Sequence, residues 1–173
     1  ENLYNDLNKL SFEEYNEYLE TVFKSVSEKM IRGSGTNKSA LIISGGIDSS
    51  LSAYFLNNFQ NQNNISICLD FDGKESPTLL SREISKRCNS KSHKIYTPTI
   101  EEYLESLLRC QKLIAGPVTT HSFPSSMLIA KEIKKYNCRI VYGGEGADEL
   151  FLGYPCYRNI EFKGKINIQS LYT

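Results

Sequence analysis

Apolar positions along this chain change period several times, and each change marks an element. From Phe12 to Met30 they fall at Phe12, Tyr15, Leu19, Val22, Phe23, Val26 and Met30. That three-to-four spacing lays them along one face of a helix. Ser11, with Glu14 three residues on, supplies a capping box for its start. A connector rich in Gly, Ser and Asn follows. The run Ala40-Leu41-Ile42-Ile43 is short, β-branched and bounded by polar residues, so it reads as a buried strand. Helical spacing returns at Ile47, Leu51, Tyr54, Phe55 and Phe59, until the polar break Asn57 to Asn64.

The alternation continues. Ile65 to Phe71 reads as a second strand, and Ser76-Pro77 supplies a cap and first-turn proline for a helix to about Cys88. Lys94 to Thr97 is a third strand. Thr99 with Glu102 caps a helix whose face carries Ile100, Tyr103, Leu104, Leu107 and Leu108. Gly116 to Ser122 reads as a loop, Met127 to Tyr136 as a helix and Arg139 to Tyr142 as a fourth strand. Strands alternating with helices imply an α/β fold, a twisted parallel sheet with helices on both faces. Residues 155 to 173 stay unassigned, although Ile166 to Leu171 alternates weakly.

Composition narrows the class. At 173 residues the chain is long enough for one sizeable core. Twenty basic and twenty acidic residues cancel, so bulk charge gives no reason to expect a nucleic-acid partner. No apolar run is long enough for a membrane span, and no signal-peptide pattern is present. The cysteines, Cys68, Cys88, Cys110, Cys138 and Cys156, are odd in number, widely spaced and without a CxxC pair. That pattern argues for incidental buried thiols and a cytoplasmic location.

The chemistry gathers at two turns. Ser44-Gly45-Gly46-Ile47-Asp48-Ser49-Ser50 joins the first strand to the next helix. Glycines there let backbone approach a ligand, and a helix N-terminus offers N–H groups to an anion, so phosphate is the expected guest. It is not a Walker A loop. The stretch Gly33 to Ser39 looks closer to one, yet it lacks the second Gly before Lys38 and precedes the strand; it reads as a connector. The fourth strand runs into Gly143-Gly144-Glu145-Gly146-Ala147-Asp148-Glu149-Leu150-Phe151, followed by Gly153-Tyr154. Three carboxylates at the end of an apolar strand either complement a helix dipole or meet a partner charge such as magnesium-bound polyphosphate. The neighbouring phosphate-type turn favours the second reading, and strand carboxyl ends at a topological switch are where such sheets bind ligands.

The first turn resembles the pyrophosphate-binding loop of the N-type ATP pyrophosphatases, the adenine nucleotide alpha-hydrolase-like group with a HUP-type, Rossmann-like fold. The pair of turns together resembles the synthetase domain of asparagine synthetase and its relatives, the β-lactam synthetases and lasso-peptide cyclases. The similarity spans about Ala40 to Tyr157. It implies an ATP-dependent carbon–nitrogen ligase: ATP adenylates a carboxylate, aspartate or a related acid, pyrophosphate leaves, and ammonia or another amine gives amide and AMP.

By motif position the resemblance implies that Ser44, Gly45, Gly46, Ser49 and Ser50 cradle pyrophosphate, while Asp48 and Asp148 hold Mg2+. Ile43 and Ile67 line the adenine site, Gly143 and Gly144 contact nucleotide through backbone, and Glu145 is the catalytic carboxylate. Leu150, Phe151 and Tyr154 read as packing residues. The implied organisation is an N-terminal helix and linker (1–35), an ATP-pyrophosphatase synthetase domain (36–158) and a C-terminal extension (159–173). Three departures stand out. Leu152 replaces a glycine common in the family. No arginine aligns near Thr119-Thr120-His121-Ser122, where His121 reads as a solvated loop residue, with substitution for the arginine the alternative. The family's transition-state lysine has no match at Lys163 or Lys165. No cysteine precedes Cys68, so a glutaminase nucleophile is expected on a separate subunit or on the rest of a longer synthetase. The alternatives are a relative acting on a different acid and a nucleotide-binding partner domain lacking catalysis.

Overall fold

The computed structural model describes residues 9–35, 37–57, 65–71, 75–155 and 157. In chain order the elements are α1 (Phe12–Ser34), β1 (Ser39–Ile42), α2 (Ile47–Asn57), β2 (Ile65–Leu69), α3 (Glu75–Arg87), β3 (Ser92–Tyr96), α4 (Ile100–Ile114), α5 (Ser122–Lys134), β4 (Ile140–Tyr142) and α6 (Ala147–Phe151). All strand pairings are parallel and the order is β3-β2-β1-β4. The chain therefore builds outward from β1 through β2 to β3, then returns to the other side of β1 for β4. That reversal opens a crevice between the carboxyl ends of β1 and β4.

Alternation along β1 assigns its side chains to two cores. Ala40 packs with Ile65, Ile67 and the α5 residues Ile129 and Ile133, with Ile42 partly buried against them. Leu41 and Ile43 face the other way, onto Ala53 and Leu56 of α2, Cys88 and Tyr142. Ile43 and Ile67 are both 0% exposed, and burying such a side chain stabilises the fold by about 1.5–3 kcal/mol. Central β1 is thus held from both faces, and the two turns that leave the crevice inherit that rigidity. Helix α1 packs on α2, with Phe23 stacked on Phe55 at 5.2 Å between ring centres. The Tyr142 hydroxyl reaches the Met30 carbonyl at 3.5 Å.

Both expected capping boxes form, Ser11 with Glu14 and Thr99 with Glu102. Elsewhere the boundaries move. Helix α1 runs four residues past Met30 into the connector, and Gly35 at its C-cap takes φ 61°. Strand β1 starts one residue early, at Ser39. Helix α3 begins at Glu75, so Ser76 lies inside it rather than capping it. The Thr/Ser-rich stretch before Met127 is not all loop: α5 starts at Ser122. Pro124 is compatible with that start because first-turn N–H groups have no helical acceptor. Phe59, Cys156 and 158–173 lie outside the described residues. The four described cysteines are free and buried, and no helix among the described residues is long and apolar enough to cross a membrane.

Strand β3 begins at Ser92, two residues before the expected Lys94, which brings His93 onto the sheet. Its Nδ1 lies 2.8 Å from Ser66 Oγ and its Nε2 lies 3.1 Å from Ser81 Oγ. The Ser81 hydroxyl also donates to the Thr78 carbonyl and the Ser66 hydroxyl to the Ser92 carbonyl, so both ring nitrogens are within hydrogen-bond reach of hydroxyls anchored to backbone. Burial, helped by Arg82, pulls the His93 pKa below its ordinary 6.5. The unfolded chain therefore binds that proton more readily than the native one. Native stability is expected to hold above pH 6.5 and to decline as pH falls from there through the depressed native pKa. Denaturant titrations on either side of pH 6.5 check this, and His93→Gln should flatten the dependence.

Candidate active site at the strand crossover

The turn after β1 is tied by its own hydroxyls. Ser49 is 7% exposed. Its Oγ accepts from the Ser44 backbone N–H at 3.2 Å, donates to the Gly46 carbonyl at 3.2 Å and sits 3.0 Å from Ser44 Oγ. The Ser50 hydroxyl donates to the same Gly46 carbonyl at 2.5 Å. Helix α2 begins at Ile47, inside the motif, so its start and the positive end of its dipole face the crevice. The hydroxyls of Ser44, Ser49 and Ser50 are committed to the shape of the loop, as are the Ser44 N–H on Ser49 Oγ and the Gly46 N–H on Ser44 Oγ at 3.3 Å; the backbone at Gly45 and the start of α2 is what it presents to an anion.

The turn after β4 presses on the first. A Cβ built at Gly144 falls 2.7 Å from both the Asp48 carbonyl carbon and the Ser49 nitrogen. Only glycine permits that approach, and the approach aligns the two motifs. Farther on, α6 spans Ala147–Phe151, and the chain doubles back so that the Gly153 N–H donates to the Asp148 carbonyl at 3.0 Å. A Cβ at Gly153 would run into the Asp148 carboxylate, so glycine at that position leaves room for the acid.

Together the turns enclose a cavity of about 200 Å3. Its walls carry Ser44, Gly46, Asp48, Ser49, Gly143, Gly144, Glu145 and Asp148, all singled out from sequence, along with Ile42, Gly146, Glu149 and Tyr154. Gly45 and Ser50 belong to the same turn without lining that space. The side chains of Ile43 and Ile67 lie in the two cores instead, so only backbone at these positions can meet a ligand. His121 sits apart, beside Phe71 and Tyr103 in a second recess. A larger recess of about 320 Å3 between α4 and α5 lacks both turns.

Among the described residues, four carboxylates and no basic side chain line the cavity. Such a surface suits magnesium-bound phosphate, since hard cations take oxygen ligands. Among the described residues no three His, Cys, Asp or Glu side chains converge as a complete metal site. Tyr154 departs from the packing role expected of it. It is exposed, and its hydroxyl donates to Glu149 Oε1 at 2.6 Å. The bond lowers the Glu149 pKa and, with nearby acids, pushes the Tyr154 phenol up to about 12. Leu150 and Phe151 are also exposed, at 77% and 56%. The sequence signal for Tyr154 was its spacing of five from Glu149, which a turn after a short helix can close.

Leu152 adopts φ 57° and ψ 41° at the C-cap of α6. A branched residue there carries left-handed strain of about 1–2 kcal/mol, partly offset by the greater entropy glycine loses on folding. Leu152→Gly is expected to stabilise the chain by about 0.5–1 kcal/mol, measurable by denaturant titration.

Comparison with known proteins agrees with this geometry. The family model described as Asparagine synthase matches residues 18–169. A putative glutamine-hydrolysing asparagine synthetase of Methanocaldococcus jannaschii is 29% identical over 160 residues, which is 90% of this chain and 28% of that protein. The glutamine-hydrolysing asparagine synthetase of Zea mays is 29% identical over 126 residues, 66% of this chain and 21% of its own. The chain thus spans less than a third of either relative. Among solved structures, the NH3-dependent NAD synthetase of Campylobacter jejuni superposes with a TM-score of 0.55 at 17% identity, over 80% of this chain and 60% of that one. NMN synthetase of Francisella tularensis gives 0.53 at 19%, over 78% and 58%. These superpositions show the adenine nucleotide alpha-hydrolase fold, and the family match shows that this chain belongs to the asparagine synthase family.

Proposed function

We propose that the chain carries the ATP-dependent amide-forming centre of an asparagine-synthetase-type ligase, its synthetase domain spanning 36–158 between an N-terminal helix with linker and a C-terminal extension. The observation that carries this is the contact of the two motif turns at Gly144, which puts a phosphate-type turn and an acid-bearing turn around one cavity at the strand switch.

In this reading the backbone at Gly45 and the start of α2 receives the pyrophosphate, with Ser44, Gly46, Ser49 and Ser50 holding the loop in shape around it. Asp48 and Asp148 hold magnesium, which neutralises charge developing on the phosphates. Backbone at Ile43, Ile67, Gly143 and Gly144 meets the nucleoside. Glu145 orients the acid or takes the proton lost by the amine. The carboxylate oxygen attacks the α-phosphorus and pyrophosphate leaves; the amine nitrogen then attacks the acyl carbon and the carbon–oxygen bond to AMP breaks. Fixed N–H groups stabilise such charge without reorganising during the reaction. Ammonia comes from solution, from a separate glutaminase subunit or from the remainder of a longer synthetase. A relative acting on a different acid is the second reading.

Incubation with magnesium, ATP, ammonium and a panel of acids that includes aspartate tests the proposal. AMP and an amide are the expected products. ADP with inorganic phosphate would overturn adenylation.

A further inference from the structure

Helix α1 carries more apolar surface than the domain uses. The stripe it turns inward is narrow, with Phe23 stacked on Phe55, Ser27 buried and Ile31 packed against the cluster that holds Leu41 and Ile43. Beside it runs a second stripe, Tyr15, Val22, Val26 and Met30 with Phe12 at its start, whose spacing in the sequence reads as a core-facing one. The structure leaves it bare. Phe12 is 76% exposed, Val26 and Met30 are 47% exposed, and Tyr15 and Val22 are each exposed by more than a third. A helix with two adjacent apolar stripes and a charged remainder is patterned for burial from two sides, and among the described residues the domain supplies one of them.

The charges of α1 point to what covers the other. Glu13, Glu14 and Glu17 occupy its first two turns, and Lys29 and Arg32 its last two; Glu28, the one acid at that end, is paired with Arg32. The helix's own dipole favours this order of signs, but it gives no reason for an apolar stripe between them. A second α1 laid antiparallel on the first brings acid end to basic end, whereas a parallel one sets like charges together. We propose that the outer stripe of α1 docks on the same stripe of a second copy of this chain, antiparallel, about a two-fold axis close to Val22. Such a contact is isologous, one patch meeting itself. Glu14 and Arg32 are about five helical turns apart and so share an edge of the helix, which sets Glu14 of each copy toward Arg32 of the other. The inference stands apart from the amide-forming reading, since no α1 residue lines the cavity.

Sedimentation equilibrium of the full chain across micromolar concentrations tests the proposal. The wild type is expected at twice the chain mass. Val22→Glu should raise the dissociation constant by about 100-fold, the scale for losing a central apolar anchor, here from both copies. Its helix content by circular dichroism should be unchanged, because Val22 lies outside both hydrophobic clusters. Orientation is read by cross-linking with an added oxidant, which takes two electrons and two protons from each pair of thiols that joins. Val22→Cys is expected to give a disulfide-linked dimer beyond the wild-type level, since the residue meets its own counterpart. Phe12→Cys is not, since antiparallel pairing puts its two copies at opposite ends. Cross-linking at Phe12→Cys equal to that at Val22→Cys would overturn the antiparallel arrangement. A wild type that stays monomeric throughout would overturn the second copy as occupant and leave the face to a different protein. A dimer that survives Val22→Glu unweakened would overturn the face.

Discussion

Gly144→Ala is expected to abolish nucleotide turnover. The added methyl would lie 2.7 Å from backbone atoms of Asp48 and Ser49, and neither neighbour is a flexible side-chain end that could swing aside. The turns must separate, and displacement of a catalytic constellation by an ångström costs about 100-fold in rate. ATP–pyrophosphate exchange should fall by at least that factor. The helices should persist by circular dichroism, because Gly144 lies outside both hydrophobic clusters. Gly116→Ala is the control: a Cβ there meets nothing within 4 Å, and exchange should be unchanged. Full activity in Gly144→Ala would show that contact between the turns does not matter.

Asp148→Asn is expected to be nearly as damaging. The substitution keeps the shape that Gly153 accommodates and removes a negative charge from a cavity already holding Asp48, Glu145 and Glu149. Stability should hold or rise slightly as like-charge repulsion falls. Catalysis should drop by about 100- to 1000-fold, the range seen when one preorganised charge-stabilising group is removed. Chelation of magnesium by EDTA should mimic the substitution in the wild type. Exchange that survives both treatments would remove magnesium from the account.

The sequence made the sheet legible because its strands are short apolar runs with turns at each end, and made α1 and α4 legible because their capping boxes are local. What it misplaced depends on distant partners. The Thr/Ser-rich start of α5 reads as loop until Pro124 is seen in a first turn, where it costs no hydrogen bond. His93 looks like a polar residue outside a strand until Ser66 and Ser81 supply partners for both ring nitrogens. In the site, the two turns could be found as motifs, and their meeting followed from alternation of strands and helices. Most of the residues that line the cavity were legible with them, but the burial of two isoleucines and the place of Tyr154 were not. Period-two alternation turns Ile43 and Ile67 into opposite cores, and Tyr154, an aromatic after a glycine, looks like packing until the turn brings its hydroxyl to Glu149.

The central claim is that this crevice adenylates a carboxylate, and ATP–pyrophosphate exchange tests it most directly. With magnesium and a panel of acids, wild-type chain is expected to return labelled pyrophosphate into ATP for at least one acid, and Asp48→Ala should lose that exchange. Exchange that persists in Asp48→Ala, or a wild-type chain inert with every acid, would contradict the account.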